Sequence, residues 1–304
     1  LQWGMRGRGI IVIGGQAHTK HSVPVYYTLD ALLAIASLRR SGCHLPVELW
    51  HDHDEVLSGD DAGAVLAGLA DTQGEVILRD VWEGSLDGSR RFAYGLKPHA
   101  MRNSAFDEFL FLDADNVVVA DPTPLFSFAE YRANGAMFWA DFKSIRRNHL
   151  IWRVLGREPV PTQLLDSGQV LMHRARHWEA LALAQFFQQR YAKTYVHPPF
   201  FFIGDKDMFL LAWLALSLPL SISGPCGLVG FTAAEGVLCG HSFLHGHPGE
   251  PDQPLFMHRV HAKWSSSESY PYLRARSMKR GRLTTDVPGS CCVPGSTSLS
   301  VGQS

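Results

Sequence analysis

This sequence predicts an α/β fold: a mixed, mainly parallel sheet flanked by helices, forming a single domain over residues 1–283 followed by a disordered tail over 284–304. Three observations carry that expectation. Gly9–Gly15 reads Gly-Ile-Ile-Val-Ile-Gly-Gly, a β-branched run closed by glycines, which suits a fully buried strand and a tight turn. An apolar stripe at helical spacing follows (Tyr26, Leu29, Leu32, Leu33, Ala36), and Pro46–Trp50 reads as the next strand. Strand, helix and strand thus fall within about forty residues, the βαβ signature of a parallel sheet. Finally, Phe109–Leu112 is an almost wholly apolar strand that runs straight into Asp113.

The remaining elements follow the same logic. Arg39 and Arg40 suit the C-terminal end of the first helix, and Gly42 its stop. Glu75–Val81 reads as a third strand and Lys97–Ala105 as a short helix. Ala136–Ala140 and Gln169–Met172 are further strands, and His177–Tyr191 and Asp205–Leu216 are helices. From Gly224 to Pro254 the chain is rich in Gly, Pro and His, which predicts irregular loops. Leu255–His261 reads as a last strand or a loop, and Thr284–Ser304, poor in large apolar residues, as the tail.

Composition narrows the function. The chain has 304 residues, 28 basic and 29 acidic, for a net charge of -1; the hydrophobic fraction is 46% and the charged fraction 19%. Such composition fills a globular core and excludes wholesale disorder, coiled coil and collagen-like structure. Near-zero charge argues against nucleic acid as a partner. Five cysteines without a C-x-x-C pair read neither as a disulfide framework nor as a thiolate zinc site. The longest apolar run, Met208–Leu216, is far short of the ~20 residues a membrane span requires. The chain opens on Leu1, so a membrane association is expected only through a missing N-terminal anchor.

The segment that carries chemistry is Phe109–Asp121, Phe-Leu-Phe-Leu-Asp-Ala-Asp-Asn-Val-Val-Val-Ala-Asp. A buried strand there delivers Asp113 and Asp115 to the carboxyl edge of a parallel sheet, where open α/β sheets bind ligands. Two carboxylates so close are costly unless a cation or donors meet them, and hard oxygen ligands suit Mn²⁺ or Mg²⁺ bridging to phosphate. Three readings compete with a plain acidic turn. A calcium loop of the EF-hand kind fails, because its glycine position is Val118 and its glutamate position Pro124. A haloacid-dehalogenase-like phosphatase also ends an apolar strand in Asp-x-Asp, and Gly204-Asp205-Lys206-Asp207 resembles its later acidic motif; in that fold, however, the nucleophile strand usually comes first. The metal site of a GT-A nucleotide-sugar transferase fits the order best, its carboxylates coming about a hundred residues into the sheet.

The motif has company. Tyr94-Gly95-Leu96-Lys97-Pro98, then Phe111-Leu112-Asp113-Ala114-Asp115-Asn116, then Asp121-Pro122 and Leu125-Phe126, closely resemble the fungal-type alpha-mannosyltransferases of glycosyltransferase family 71. Gly14-Gly15, Phe138-Trp139-Ala140-Asp141, Asp166-Ser167-Gly168-Gln169, Gly204-Asp205-Lys206-Asp207 and a late His258 followed by Lys263 extend the resemblance over about residues 9–264. Family members often carry proline where this chain has Ala140 and glutamate where it has Asp166.

The resemblance implies a GT-A-like, metal-dependent retaining enzyme that moves mannose from GDP-mannose, with Mn²⁺ or Mg²⁺, to a hydroxyl of a glycan or glycoprotein acceptor. It also implies a place in the Golgi or secretory-pathway lumen, as a type II membrane protein when full length. It assigns Asp113, Asp115 and His258 to the metal, with Asp113 also facing the ribose. Gly14, Gly15, Lys97 and Lys263 fall to the nucleotide, and Asp166, Asp205 and Asp207 to the sugar and acceptor side. Each has a bland alternative: His261 rivals His258, Lys97 is a solvated lysine, and Asp205 and Asp207 cap a helix. His241, His245 and His247 offer ligand types too, but in a Gly/Pro segment they read as structural. The rival functions are the phosphatase and a catalytically silent sugar-nucleotide or glycan-binding module.

Overall fold

The computed structural model describes residues 7–14, 18–20, 23–25, 27–51, 74–81, 95–196, 205–232, 238–260, 277–279 and 292–293. The first half alternates strands and helices as expected: β1 (Arg8–Ile13), a small hairpin of β2 (His18–Lys20) and β3 (Val23–Val25), α1 (Tyr27–Arg40), β4 (Val47–His51), β5 (Val76–Asp80), α2 (Leu96–Asn103), β6 (Glu108–Asp113) and β7 (Asn116–Val118). Next come α3 (Ala129–Asn134), β8 (Ala136–Ile145), α4 (Ile151–Val154), β9 (Thr162–His173), α5 (Trp178–Val196) and α6 (Asp205–Ala215). The chain then turns to strands: β10 (Ile222–Ser223), β11 (Gly227–Thr232), β12 (Leu238–His247), β13 (Glu250–His258), β14 (Ser277–Lys279) and β15 (Cys292–Val293).

The large sheet has the order β10-β8-β9-β6-β1-β4-β5. Its pairs are parallel except those of β9, which runs against both β6 and β8. This is the mixed, mainly parallel sheet the sequence predicts. From β1 the chain builds outward through β4 and β5, then returns to place β6 on the other side of β1. That reversal is a topological switch point, and Ile13 pairs with Asp113 on its carboxyl side.

Both faces of the sheet are covered, which explains the unbroken apolar runs. Phe109 and Phe111 face one core with Ile11, Phe138, Val170 and Trp213; Leu110 and Leu112 face the other with Ile10, Ile35, Trp139 and Phe256. The period-2 alternation of side chains divides β6 cleanly between the two.

The expectation of irregular loops over Gly224–Pro254 is corrected by the structure. β11, β12 and β13 pair antiparallel in a second sheet of order β14-β11-β12-β13-β7. The glycines that read as breakers mark irregularities within strands: the β12–β13 register shifts on both sides of Gly246, where a Cβ would collide with the backbone of Pro251. Leu255–His258 belong to a strand, while His261 lies outside the described residues. Of the predicted tail, Cys292–Val293 pair with β12 and the rest lies outside the described residues. β8 and β9 also run further than the apolar runs suggested, and the N-terminal half of β9 passes beyond the end of β6.

One buried polar network ties the far edge of the large sheet. Glu48 on β4 is fully buried; it accepts from Arg79 Nη1 at 2.7 Å, from Trp50 Nε1 at 3.0 Å and from the Ala105 backbone N–H at 2.9 Å. Removing one partner of such a pair leaves an uncompensated buried charge. Glu48→Ala is therefore expected to lower the free energy of unfolding by about 3–5 kcal/mol, read by urea denaturation. A loss below about 1 kcal/mol would show that the network does not hold this edge.

Candidate active site

Six elements converge on the carboxyl edge beside the switch point. β6 ends in Asp113, and the turn into β7 carries Asp115. The N-terminal half of β9 brings Asp166, Ser167 and Gly168 alongside, and α6 begins there with Asp205. β13 pairs with β7 so that His258 stands opposite Asn116, and the Arg259 N–H donates to the Asp115 carbonyl at 3.0 Å. α2 adds Lys97.

The chain thereby gathers Asp113, Asp115 and His258, whose ligand atoms all lie within 4.8 Å of one another. His258 Nε2 is 3.2 Å from Asp115 Oδ1 and 3.7 Å from Asp113 Oδ2. The other ring nitrogen, Nδ1, meets both oxygens of Asp166, at 3.0 and 2.9 Å. Two carboxylates and an imidazole, with the imidazole held from behind by a carboxylate, fit a Mn²⁺- or Mg²⁺-class ion. Gly168 makes room for this arrangement, because a Cβ there would overlap the His258 ring.

Asp166 is almost fully buried and receives donors on all sides: His245 Nε2 at 2.7 Å, the Gly168 N–H at 3.1 Å and Gln169 Nε2 at 3.4 Å, besides His258. Burial works against its ionisation, but the facing His258 charge and the bonds from both histidines hold it well below the usual carboxylate range. Burial likewise opposes a charged His258, yet Asp166 and Asp115 hold it well above its usual value. Asp113 shows the opposite balance: burial pushes it up to about 6, against the pull of Lys97 and with the repulsion of Asp115.

Lys97 is no solvated surface lysine. Its ammonium lies 2.7 Å from Asp113 Oδ2, 2.5 Å from Asp205 Oδ2 and 3.2 Å from Ser167 Oγ, and the Ser167 hydroxyl donates to Asp205 at 2.8 Å. Despite its burial, Asp113 and Asp205 raise its pKa. Gly14 is buried at the end of β1, its N–H bonded to the Trp50 carbonyl at 2.9 Å. Asp207 is buried in the first turn of α6, and between it and Asp205, Lys206 is ion-paired with Asp141. Gly15, Gly204 and Lys263 lie outside the described residues.

Several residues at this site escaped sequence reasoning. His245 reads with His241 and His247 as structural, because its Gly/Pro-rich segment has the composition of a loop. Asn116, which by sequence is equally a member of the acidic motif and a simple turn residue, donates its amide to the Gly168 carbonyl at 2.9 Å and to Gln169 Oε1 at 2.7 Å. Ser167 and Lys206 carry no signal of their own beyond the motifs that contain them. The phosphatase reading asks for an acidic residue of α6 beside Asp113, and Asp205 meets Asp113 through the shared Lys97. The transferase reading asks for His258 on the same side as Asp115, and it is there.

Residues 7–154 match the family model described as "Mannosyltransferase putative". The chain is 25% identical over 237 residues to alpha-1,2-mannosyltransferase MNN21 of Candida albicans, an alignment that covers 61% of this chain and 35% of that protein. It is 24% identical over 252 residues to alpha-1,2-mannosyltransferase MNN24 of the same organism, covering 71% and 34%. The chain thus spans about a third of the length of these curated relatives. Among solved structures, the galactosyltransferase LgtC with donor and acceptor sugar analogs overlays with a TM-score of 0.47 at 14% identity, covering 72% of this chain and 73% of that one. The resemblance read from the motifs is borne out by the family match and the Candida relatives.

The charge balance predicts a pH dependence for cation binding. A ligand imidazole must be neutral and a ligand carboxylate ionised, so binding expels the proton held by His258 and the fraction held by Asp113. Mn²⁺ affinity, followed by calorimetry, is therefore expected to rise most steeply with pH up to about 6, while Asp113 still holds a proton, and to go on rising less steeply beyond it for as long as His258 has a proton to give up. Affinity independent of pH between about 6 and 8 would remove His258 from the ligand set.

Proposed function

From its standing as a relative of the fungal Mnn-type mannosyltransferases, we propose that this chain is a metal-dependent, retaining alpha-mannosyltransferase that moves mannose from GDP-mannose to a hydroxyl of a glycan or glycoprotein. The observation that carries this reading is the convergence of Asp113, Asp115 and His258 from separate elements at the switch point of the sheet. The place of action proposed with it is the lumen of the Golgi or secretory pathway, on the resemblance alone. Among the described residues no helix is long and apolar enough to cross a membrane.

Asp113, Asp115 and His258 would hold the divalent ion, whose chemistry there is to offset charge growing on the departing diphosphate. Asp166 ionises and keeps His258 Nδ1 engaged, so that Nε2 faces the two carboxylates. Asp205 and Ser167 keep the Lys97 ammonium against Asp113, where it supplies a fixed positive charge beside the nucleotide. Gly14 ends β1 with no side chain in the way of a close ligand approach. Lys263 is proposed, from the resemblance, to face the diphosphate, and Gly15 the nucleotide. Asp207 stays the carboxylate proposed for the sugar side, where an anion steadies an oxocarbenium-like transition state.

Two measurements test this. Asp115→Ala is expected to abolish Mn²⁺-dependent GDP binding in calorimetry while the fold survives; unchanged affinity would take the metal away from this motif. Given a panel of nucleotide sugars, Mn²⁺ and a simple mannoside, the protein is expected to consume GDP-mannose faster than UDP-glucose or UDP-galactose. Preference for a UDP-sugar would overturn mannose and leave a metal-dependent transferase. The Lys97 link between Asp113 and Asp205 also suits the phosphatase reading, so the panel includes a phosphomonoester; its turnover alone would favour that enzyme. Binding without turnover would favour the silent module.

A further inference from the structure

β12 and β13 pair so that Phe243 stands opposite His258 and His245 opposite Phe256. Residues two apart on a strand share a face, so His245 and His258 are diagonal neighbours on the same side of the second sheet. Phe243 packs edge-on against both rings, with centroids 6.3 Å from His245 and 6.2 Å from His258. Both imidazoles reach Asp166 on β9 of the large sheet, His245 through Nε2 at 2.7 Å and His258 through Nδ1 at 2.9 Å. Both ring nitrogens point at carboxylate oxygens, which accept, so each ring donates to Asp166 from the nitrogen that faces it.

We infer that His245 is a positioning residue for the cation site: it anchors the Asp166 carboxylate, and through it fixes the tautomer and orientation of His258. The inference rests on the reading of Asp113, Asp115 and His258 as a divalent-cation site. Two features separate this role from plain core packing. His245 is 1 % exposed, and its Nδ1 is buried with no hydrogen-bond partner among the described residues. A half-satisfied buried imidazole is a poor choice for stability, since an apolar side chain would avoid the orphaned nitrogen. And the bond this ring does make goes to the carboxylate that holds the candidate metal ligand from behind, an outer layer whose loss typically weakens metal binding.

The test compares His245→Leu, His245→Gln and Asp115→Ala in the whole protein, with Mn²⁺ titrated by calorimetry in the presence of GDP and thermal unfolding followed without metal. His245→Leu is expected to weaken Mn²⁺ binding at least about tenfold while its melting temperature moves by no more than about 4 °C. His245→Gln, which can offer an N–H to Asp166 from a similar place, is expected to restore affinity to within about threefold. A merely structural ring would give the reverse, a lowered melting temperature with Mn²⁺ affinity intact, and that result overturns the inference; so does failure of both His245 variants to fold. If Asp115→Ala retains wild-type Mn²⁺ binding, the cation site itself is overturned and the inference goes with it. If Asp115→Ala loses binding and His245→Leu does not, only the role of His245 fails.

Discussion

The pairing of β13 with β7 is the constraint on which the site depends. β7 is three residues long and follows directly on the acidic turn, so whatever pairs with it is delivered to Asp113 and Asp115. With His258 opposite Asn116, the imidazole faces the carboxylates and the Arg259 N–H closes onto the Asp115 carbonyl. A one-residue slip in that register would turn His258 to the other face of the strand and present Met257 instead. Phe256 guards against the slip by packing edge-on against Trp139 at 5.2 Å, deep in the core between the two sheets. Apolar packing thus sets the position of a polar site.

Electrostatics explains why so many charged groups tolerate burial there. Asp113, Asp115, Asp166, Asp205 and Asp207 are all mostly withdrawn from water, which penalises isolated charges heavily. Lys97 serves two of them, His258 faces three, and His245 with two amide groups completes Asp166. Asp113 keeps a raised affinity for its proton even so, the signature of a carboxylate whose neighbours do not fully meet its charge. An added cation would meet it, which makes the protein's own charge balance part of the argument for the site.

The sheet was legible because its strands are buried on both faces. Ile10–Ile13 and Phe109–Leu112 read as strands for the same reason that they are core: Phe109 and Phe111 pack one way, Leu110 and Leu112 the other. Asp113, Asp115 and Lys97 were legible because they sit at the ends of such elements. The second sheet was not, since His, Gly and Pro in β12 and β13 carry little β signal, and their backbone bonds form only when distant strands meet. With that sheet went His245, a residue 79 positions from its carboxylate partner.

By itself, then, the sequence determined which residue types lie at the carboxyl edge of β6 and that the edge belongs to a mainly parallel sheet. Local periodicity and burial suffice for both. Only the tertiary structure decided that Asp166 faces two histidines rather than open space, that Lys97 bridges Asp113 and Asp205, and that His258 points at the acidic pair. Those are contacts between strands and helices far apart in the chain, and they depend on register and packing between two sheets, which no local pattern encodes.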